Sequence, residues 1–133
     1  MSPYRVLVEK ETYEVSTGLS YSSERFILAS MMSIDKRTQE RRIFIVQKLI
    51  PITEETSYAD IAHALTTSKN SGILDRYQIQ RPPKSRKYSV YRLGDIGESC
   101  REVARDVFIQ SDCLIAAMEH YCLINNLKVL ETL

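Results

Sequence analysis

The sequence predicts one small α+β domain, in which several helices accompany a single short β-hairpin. The chain has 133 residues, which is the length of one domain with one modest core. Its 44% hydrophobic and 26% charged residues are typical of a soluble globular protein. Apolar residues recur at helical spacing in several stretches, whereas the residues on either side of a Pro-Pro pair alternate as strands do.

Residues 1–20 are predicted to form a short strand followed by an arm. Tyr4, Val6 and Val8 alternate with polar residues, which indicates a strand. Residues 9–19 are mostly polar and are expected to be extended.

Residues 24–50 have two interpretations. Phe26, Ile27, Ser30 and Met31 share one helical face, and Ser22 or Ser23 would be the N-cap. Residues 41–50 fit both a helix and a strand, because the apolar run at 43–46 suits either. A β-hairpin formed by residues 24–34 and 40–50 is therefore an alternative to two helices.

The second half of the chain gives clearer patterns. A helix is predicted to begin at residues 53–57 and to place Tyr58, Ile61, Ala62 and Leu65 on one face. Residues 73–80 and 87–93 are predicted to pair as a hairpin across the turn RPPKSRK. Helices are then predicted at residues 98–107 and 112–125.

Positive charge is concentrated in residues 76–92. This stretch holds six Lys and Arg and no acid, whereas the whole chain has a net charge of +1. Clustered Lys and Arg in a stiff turn are suited to contacts with phosphates or other anions. The pattern predicts that the hairpin meets a polyanion.

Several classes of function are not indicated. The chain has no apolar run long enough to span a membrane and no secretion signal at its start. Three cysteines without CxxC spacing are typical of reduced thiols, so a cytoplasmic protein is expected. His63 and His120 lack metal-binding spacing, and no phosphate-binding glycine motif is present. We therefore expect no cofactor, no metal and no enzymatic activity.

The segment at residues 72–97 resembles the end of a winged-helix domain. Gly72-Ile73-Leu74 stands where the recognition helix should end, residues 81–87 form the wing tip, and YRLGDIG at 91–97 leads into the last helix. The stretch SSERFILASMM at 22–32 resembles the first helix of the PadR-like branch of that family. The resemblance covers roughly residues 22–125.

This resemblance implies a winged helix-turn-helix domain at residues 21–97 and a C-terminal dimerisation helix within residues 98–133. The protein would be a homodimeric transcriptional regulator that binds double-stranded DNA. Its DNA contacts would come from the recognition helix and the wing, through Ser57, His63, Thr66, Lys69, Arg76, Arg81, Lys84, Arg86 and Lys87. The dimer would pair through Val107, Leu114, Ile115, Met118 and Tyr121.

Three alternatives remain open. Residues 88–115 resemble a ribbon-helix-helix unit, which would also be a DNA-binding dimer. An antiparallel sheet with C-terminal helices would instead suit a non-enzymatic interaction protein whose basic loop binds an acidic protein partner. An RNA-binding protein is the third, because Tyr77, Tyr88 and Tyr91 could stack on unpaired bases.

Overall fold

Seven antiparallel β-strands form one curled sheet in the computed structural model, which describes residues 2–16, 18, 20–94 and 99–133. The strands are β1 (Tyr4–Glu14), β2 (Ser20–Ile34), β3 (Arg41–Ile52), β4 (Asp75–Gln80), β5 (Tyr88–Arg92), β6 (Arg101–Val107) and β7 (Lys128–Thr132), and the helices are α1 (Tyr58–Thr67) and α2 (Gln110–Ile124). The strand order is β6-β5-β4-β3-β2-β1-β7. Strands β1 to β6 thus form a meander, and β7 returns to pair with β1.

Helix α2 lies across one face of the sheet and forms the main core with it. Its buried residues are Cys113, Leu114, Ala117, Met118 and Cys122. They pack with apolar side chains from β1 to β5, among them Val6, Leu28, Ile43, Tyr77 and Val90. This core lies within a single chain.

Helix α1 packs on the opposite face of the sheet. Its buried residue Ile61 joins Leu7 and Ile27 in a second, smaller cluster. Leu7 lies between Val6 and Val8, whose side chains belong to the main core, and successive side chains of a strand face opposite sides. The first strands of the sheet are therefore covered on both faces.

Residues 24–50 form the β-hairpin of the alternative interpretation, and not two helices. Strands β2 and β3 pair from Arg25 and Ile52 at one end to Ile34 and Arg41 at the other. In β2, Ile27 and Leu28 face opposite sides and are both fully buried. A strand buried on both faces loses the alternation of apolar and polar residues, so its sequence also fits a helix.

The predicted winged helix-turn-helix is wrong. The described part of the chain is mostly sheet with two helices, and the stretches at 22–32, 41–50 and 101–107 are strands. Helix α1, helix α2 and the hairpin of β4 and β5 do lie where the sequence predicted them. Residues 95–98, which include the end of the YRLGDIG motif, lie outside the described residues.

The residues predicted to pair two copies of the chain lie in or beside the core of one copy. Leu114 and Met118 are buried against the sheet of their own chain, and Val107, Ile115 and Tyr121 are half-buried. The residues assigned to a dimer interface therefore do not form an exposed apolar stripe. Residues 101–132 contain a strand, a helix and another strand.

The packing of α2 predicts a contrast between two leucines of the same helix. Leu114→Ala should lower the free energy of unfolding by about 3 kcal/mol, because it leaves a cavity under the helix. Leu123→Ala should change it by less than about 0.5 kcal/mol, because Leu123 is 74% exposed. Urea unfolding followed by circular dichroism measures both values, and equal losses would contradict this packing.

Candidate functional site

Two loops lie side by side at one end of the sheet. The turn between β2 and β3 spans residues 35–40, and the loop between β4 and β5 spans residues 81–87. Arg41 pairs with Ile79, so both loops leave the sheet at the same end. The chain after β6 reaches this end too, because Val107 pairs with Tyr88. We call residues 34–42, 81–87 and 106–109 the basic end.

The basic end holds most of the unbalanced positive charge of the chain. Its basic residues are Lys36, Arg37, Arg41, Arg42, Arg81, Lys84, Arg86 and Lys87, and its acidic residues are Asp35, Glu40 and Asp106. Eight bases against three acids give a net charge of +5, whereas the whole chain carries +1. The rest of the chain is therefore acidic overall.

The loop between β4 and β5 contains a tight turn with a lysine at its apex. The N–H of Ser85 donates to the carbonyl of Pro82 at 3.1 Å, and Lys84 has a φ of 64°. Proline at the second position and a positive φ at the third are the features of a type II turn. Glycine is favoured at that third position, because an L side chain crowds the backbone there.

Two cations of this loop are held against aromatic rings. The guanidinium of Arg81 lies 5.6 Å from the centre of the Tyr88 ring. The ammonium of Lys87 lies 5.6 Å from the Phe108 ring and 3.9 Å from a carboxylate oxygen of Asp106. These contacts anchor the base of the loop.

The apex of the same loop has unpaired charge. Lys84 and Arg86 are exposed, and neither has an ion-pair partner in the described part of the chain. Two cations at the tip of a stiff loop are therefore available to a partner.

The carboxylates of the β2–β3 turn bond to groups of the turn and of the strand that follows it. The carboxylate of Asp35 accepts the N–H groups of Arg37 and Thr38 at 2.8 and 3.2 Å, which lowers the pKa of Asp35. Glu40 bonds Arg42 at 3.3 Å. The side chains of Lys36 and Arg37 are exposed and have no acidic partner among the described residues.

Large apolar side chains are also exposed at the basic end. Ile34, Phe108 and Ile109 are 50%, 63% and 58% exposed. Ile109 occupies the N-cap of α2 and makes no side-chain capping bond. The surface thus combines basic and apolar groups.

The structure separates the residues that were predicted to contact DNA. Arg81, Lys84, Arg86 and Lys87 lie together at the basic end, whereas Arg76 lies within β4. Ser57, His63, Thr66 and Lys69 belong to α1 and its flanks, and the hydroxyl of Ser57 accepts the N–H of Asp60 as the N-cap.

The distance between these two groups follows from the pairing of β3. The N–H of Leu49 donates to the carbonyl of Lys69, while Arg41 lies beside the base of the β4–β5 loop. Eight residues of strand correspond to about 26 Å. Helix α1 and the β4–β5 loop, which were predicted to be the recognition helix and the wing, therefore do not form one surface.

Sequence reasoning missed part of the basic end. It assigned Lys36 and Arg37 to no site. The sequence did contain a signal, because four of the seven residues from 36 to 42 are Lys or Arg. The exposure of Ile34, Phe108 and Ile109 gave no signal in the sequence, because apolar residues are more often buried.

A second polar cluster lies under α2. The hydroxyl of Tyr77 and Nδ1 of His120 are 2.8 Å apart, and Arg92 bonds Asp75 at 3.0 Å. Burial lowers the pKa of His120, Arg92 lowers it further and Asp75 opposes these shifts. Burial also raises the pKa of Tyr77, so this hydrogen bond joins a neutral tyrosine and a neutral histidine at neutral pH. This bond joins β4 to α2.

Among the described residues, the buried cysteines are not activated as thiolates, and the side chains that commonly bind metals are not clustered. Burial raises the pKa values of Cys113 and Cys122 to about 11, so both thiols stay protonated at neutral pH. No group of three or more His, Cys, Asp or Glu is arranged to hold a metal ion in that part of the chain.

No family model, no curated protein and no solved structure matches this chain. In the part of the chain that the structure describes, neither helix is long and apolar enough to cross a membrane. The surface chemistry of the basic end is therefore the basis for a functional proposal.

The Tyr77–His120 bond predicts a pH dependence of stability. The folded state lowers the pKa of His120, so between that lowered pKa and about 6.5 the unfolded chain binds a proton that the folded chain does not. The free energy of unfolding should therefore fall as the pH is lowered from about 7.5 to 5.5. Urea unfolding at both pH values measures the difference.

His120→Gln should remove most of this decline, since glutamine can replace the hydrogen bond to Tyr77 without titrating. His63→Gln is the matched control, because His63 is exposed. This variant should keep the decline of the wild type. A decline that persists unchanged in His120→Gln would show that another group is responsible.

Proposed function

We propose that this chain is a non-enzymatic interaction protein whose basic end binds an acidic segment of a partner protein. The observation that carries the proposal is the convergence of two basic loops beside exposed apolar side chains. Exposed positive charge comes from Lys36, Arg37, Lys84 and Arg86, and apolar surface comes from Phe108 and Ile109.

The mixture of groups favours a protein over a nucleic acid. Protein interfaces combine an apolar centre with charged groups at the rim, and arginine is enriched in them. Interfaces with nucleic acids are more polar and much more positive, because they follow a phosphate backbone. Ile34 and Ile109 have no role in phosphate contacts.

The backbone of the basic end supports the same proposal. Gln39, Lys84 and Asp106 have φ values of 61°, 64° and 59°. Only one other non-glycine residue in the described part of the chain, Asn126, has a positive φ. Such a conformation costs about 1 kcal/mol or more for an L residue and is concentrated at functional sites. A lysine at a turn position that suits glycine indicates that its side chain is used.

Replacing Lys84 with glycine should make the fold more stable but should weaken binding to an acidic peptide. Lys84→Gly should raise the free energy of unfolding by up to about 1 kcal/mol, because glycine relieves the positive φ. It should also weaken binding of a fluorescein-labelled peptide of alternating Glu and Leu about fivefold, which corresponds to about 1 kcal/mol. Urea unfolding measures the first effect, and fluorescence anisotropy at low salt measures the second.

Controls identify the surface and the kind of partner. Lys69→Gly removes an exposed lysine far from the basic end and should leave peptide binding unchanged. Lys84→Glu combined with Arg86→Glu should abolish binding. The proposal is wrong if the wild type does not bind the peptide or if the double variant binds equally well. Tighter binding of single-stranded RNA or duplex DNA of equal charge would assign the surface to nucleic acid instead.

A further inference from the structure

A two-stranded ribbon extends from the end of the sheet opposite to the basic end. Strands β1 and β2 pair from Tyr4 and Ser30 to Glu14 and Ser20. The pairing of β7 with β1 reaches only Glu9, and the pairing of β3 with β2 reaches only Arg25. We call residues 10–24 the arm. Its paired residues, 10–14 and 20–24, extend about 17 Å beyond the neighbouring strands.

The surface of the arm is acidic and partly aromatic. Residues 10–24 contain Glu11, Glu14 and Glu24 against Lys10, a net charge of −2. Tyr13, Val15 and Tyr21 are each more than half exposed. A ribbon of two strands is marginally stable in water by itself, so a partner that covers it would stabilise it.

The aromatic pair of the arm is organised around one of these glutamates. The rings of Tyr13 and Tyr21 lie 5.2 Å apart, and both hydroxyls donate to Glu11 at 3.2 and 3.1 Å. At the base of the arm, Arg25 bonds Glu9 at 3.0 Å and Glu54 at 3.4 Å. The arm therefore presents a defined surface and is tied to the sheet.

We propose that the arm of one copy of this chain binds the basic end of a second copy. This inference rests on the proposed function, since the basic end is the same surface and the arm is the acidic segment that it holds. The charges are opposite, and each surface exposes apolar groups, with Tyr13 and Tyr21 on the arm and Phe108 and Ile109 on the basic end. Opposite charge and apolar contact together favour a specific interface.

The geometry makes this contact intermolecular. Strand β2 begins in the arm at Ser20 and ends at the basic end with Ile34. Its length of 15 residues corresponds to roughly 45 Å, so the two surfaces of one chain cannot meet. Each copy has one arm and one basic end. Two copies can make this contact reciprocally in a two-fold dimer, or many copies can repeat it in a ring or a filament.

Sedimentation velocity of the wild-type chain is the first measurement. At about 50 mM NaCl the sedimentation coefficient should rise with protein concentration, and at about 500 mM NaCl it should shift towards the monomer as exposed charges are screened. Glu14→Lys with Glu24→Lys gives an arm variant, and Lys84→Glu with Arg86→Glu gives a loop variant. Each variant alone should remain monomeric at low salt.

A mixture of the arm variant and the loop variant tests the contact between the arm and the basic end directly. The loop variant keeps an intact arm and the arm variant keeps an intact basic end, so an equimolar mixture should form dimers that do not grow further. A chain with all four reversals should remain monomeric, because its arm would carry +2 and its basic end +1. Circular dichroism verifies that each variant is folded.

Matched controls carry the same charge changes elsewhere on the surface. Glu55→Lys with Glu119→Lys, and Lys69→Glu with Lys128→Glu, alter exposed residues outside both surfaces. Both control pairs should assemble like the wild type. Loss of assembly in the controls would attribute the effect to net charge and overturn the inference.

Three other outcomes would overturn the inference: a monomeric wild type at low salt, arm or loop variants that assemble normally, or a mixture that forms no dimer. The acidic-peptide assay separates this failure from that of the proposed function. If the peptide binds a wild type that stays monomeric, the basic end has another acidic partner and the proposed function stands. If the peptide also fails to bind, the proposed function is wrong as well.

Discussion

The packing of α2 across one face of the sheet is the interaction on which the rest of the structure depends. Helix α2 contacts strands β1 to β6 and buries Leu114 and Met118 almost completely. Fully burying a side chain of that size contributes about 1.5–3 kcal/mol. The Tyr77–His120 hydrogen bond adds a directional contact between helix and sheet. Because residues from six different strands meet this helix, the curved sheet and the helix form one core.

The meander then decides which loops share an end. In a sheet whose strands pair in sequence order, consecutive turns alternate between the two ends. The β2–β3 turn and the β4–β5 loop therefore leave at one end, and the β1–β2 arm leaves at the other. The basic loops lie together for this reason, while the acidic arm is held away from them.

Local patterns predicted some elements well and misread others for identifiable reasons. The hairpin of β4 and β5 has alternating residues around a Pro-Pro turn, and α1 and α2 have clear helical spacing. The stretch that forms β6 was predicted as part of a helix at residues 98–107, and its residues Val103, Ala104 and Val107 do have helical spacing. In the structure all three pack against the core, and the pairing of β5 with β6 shifts register twice. Irregular pairing of this kind removes the simple alternation of a strand.

The sequence by itself determined the concentration of positive charge in residues 76–92, the turn that carries it and the polar character of the arm. These are local properties, since they depend on neighbouring residues. Only the tertiary structure decided that Lys36 and Arg37 lie at the same end as Lys84 and Arg86, and that α1 lies far from all of them. Those placements depend on pairing between strands that are distant in sequence, such as β3 with β4 across α1. No local pattern contains that pairing, because the paired residues of β3 and β4 lie on either side of α1 in the sequence.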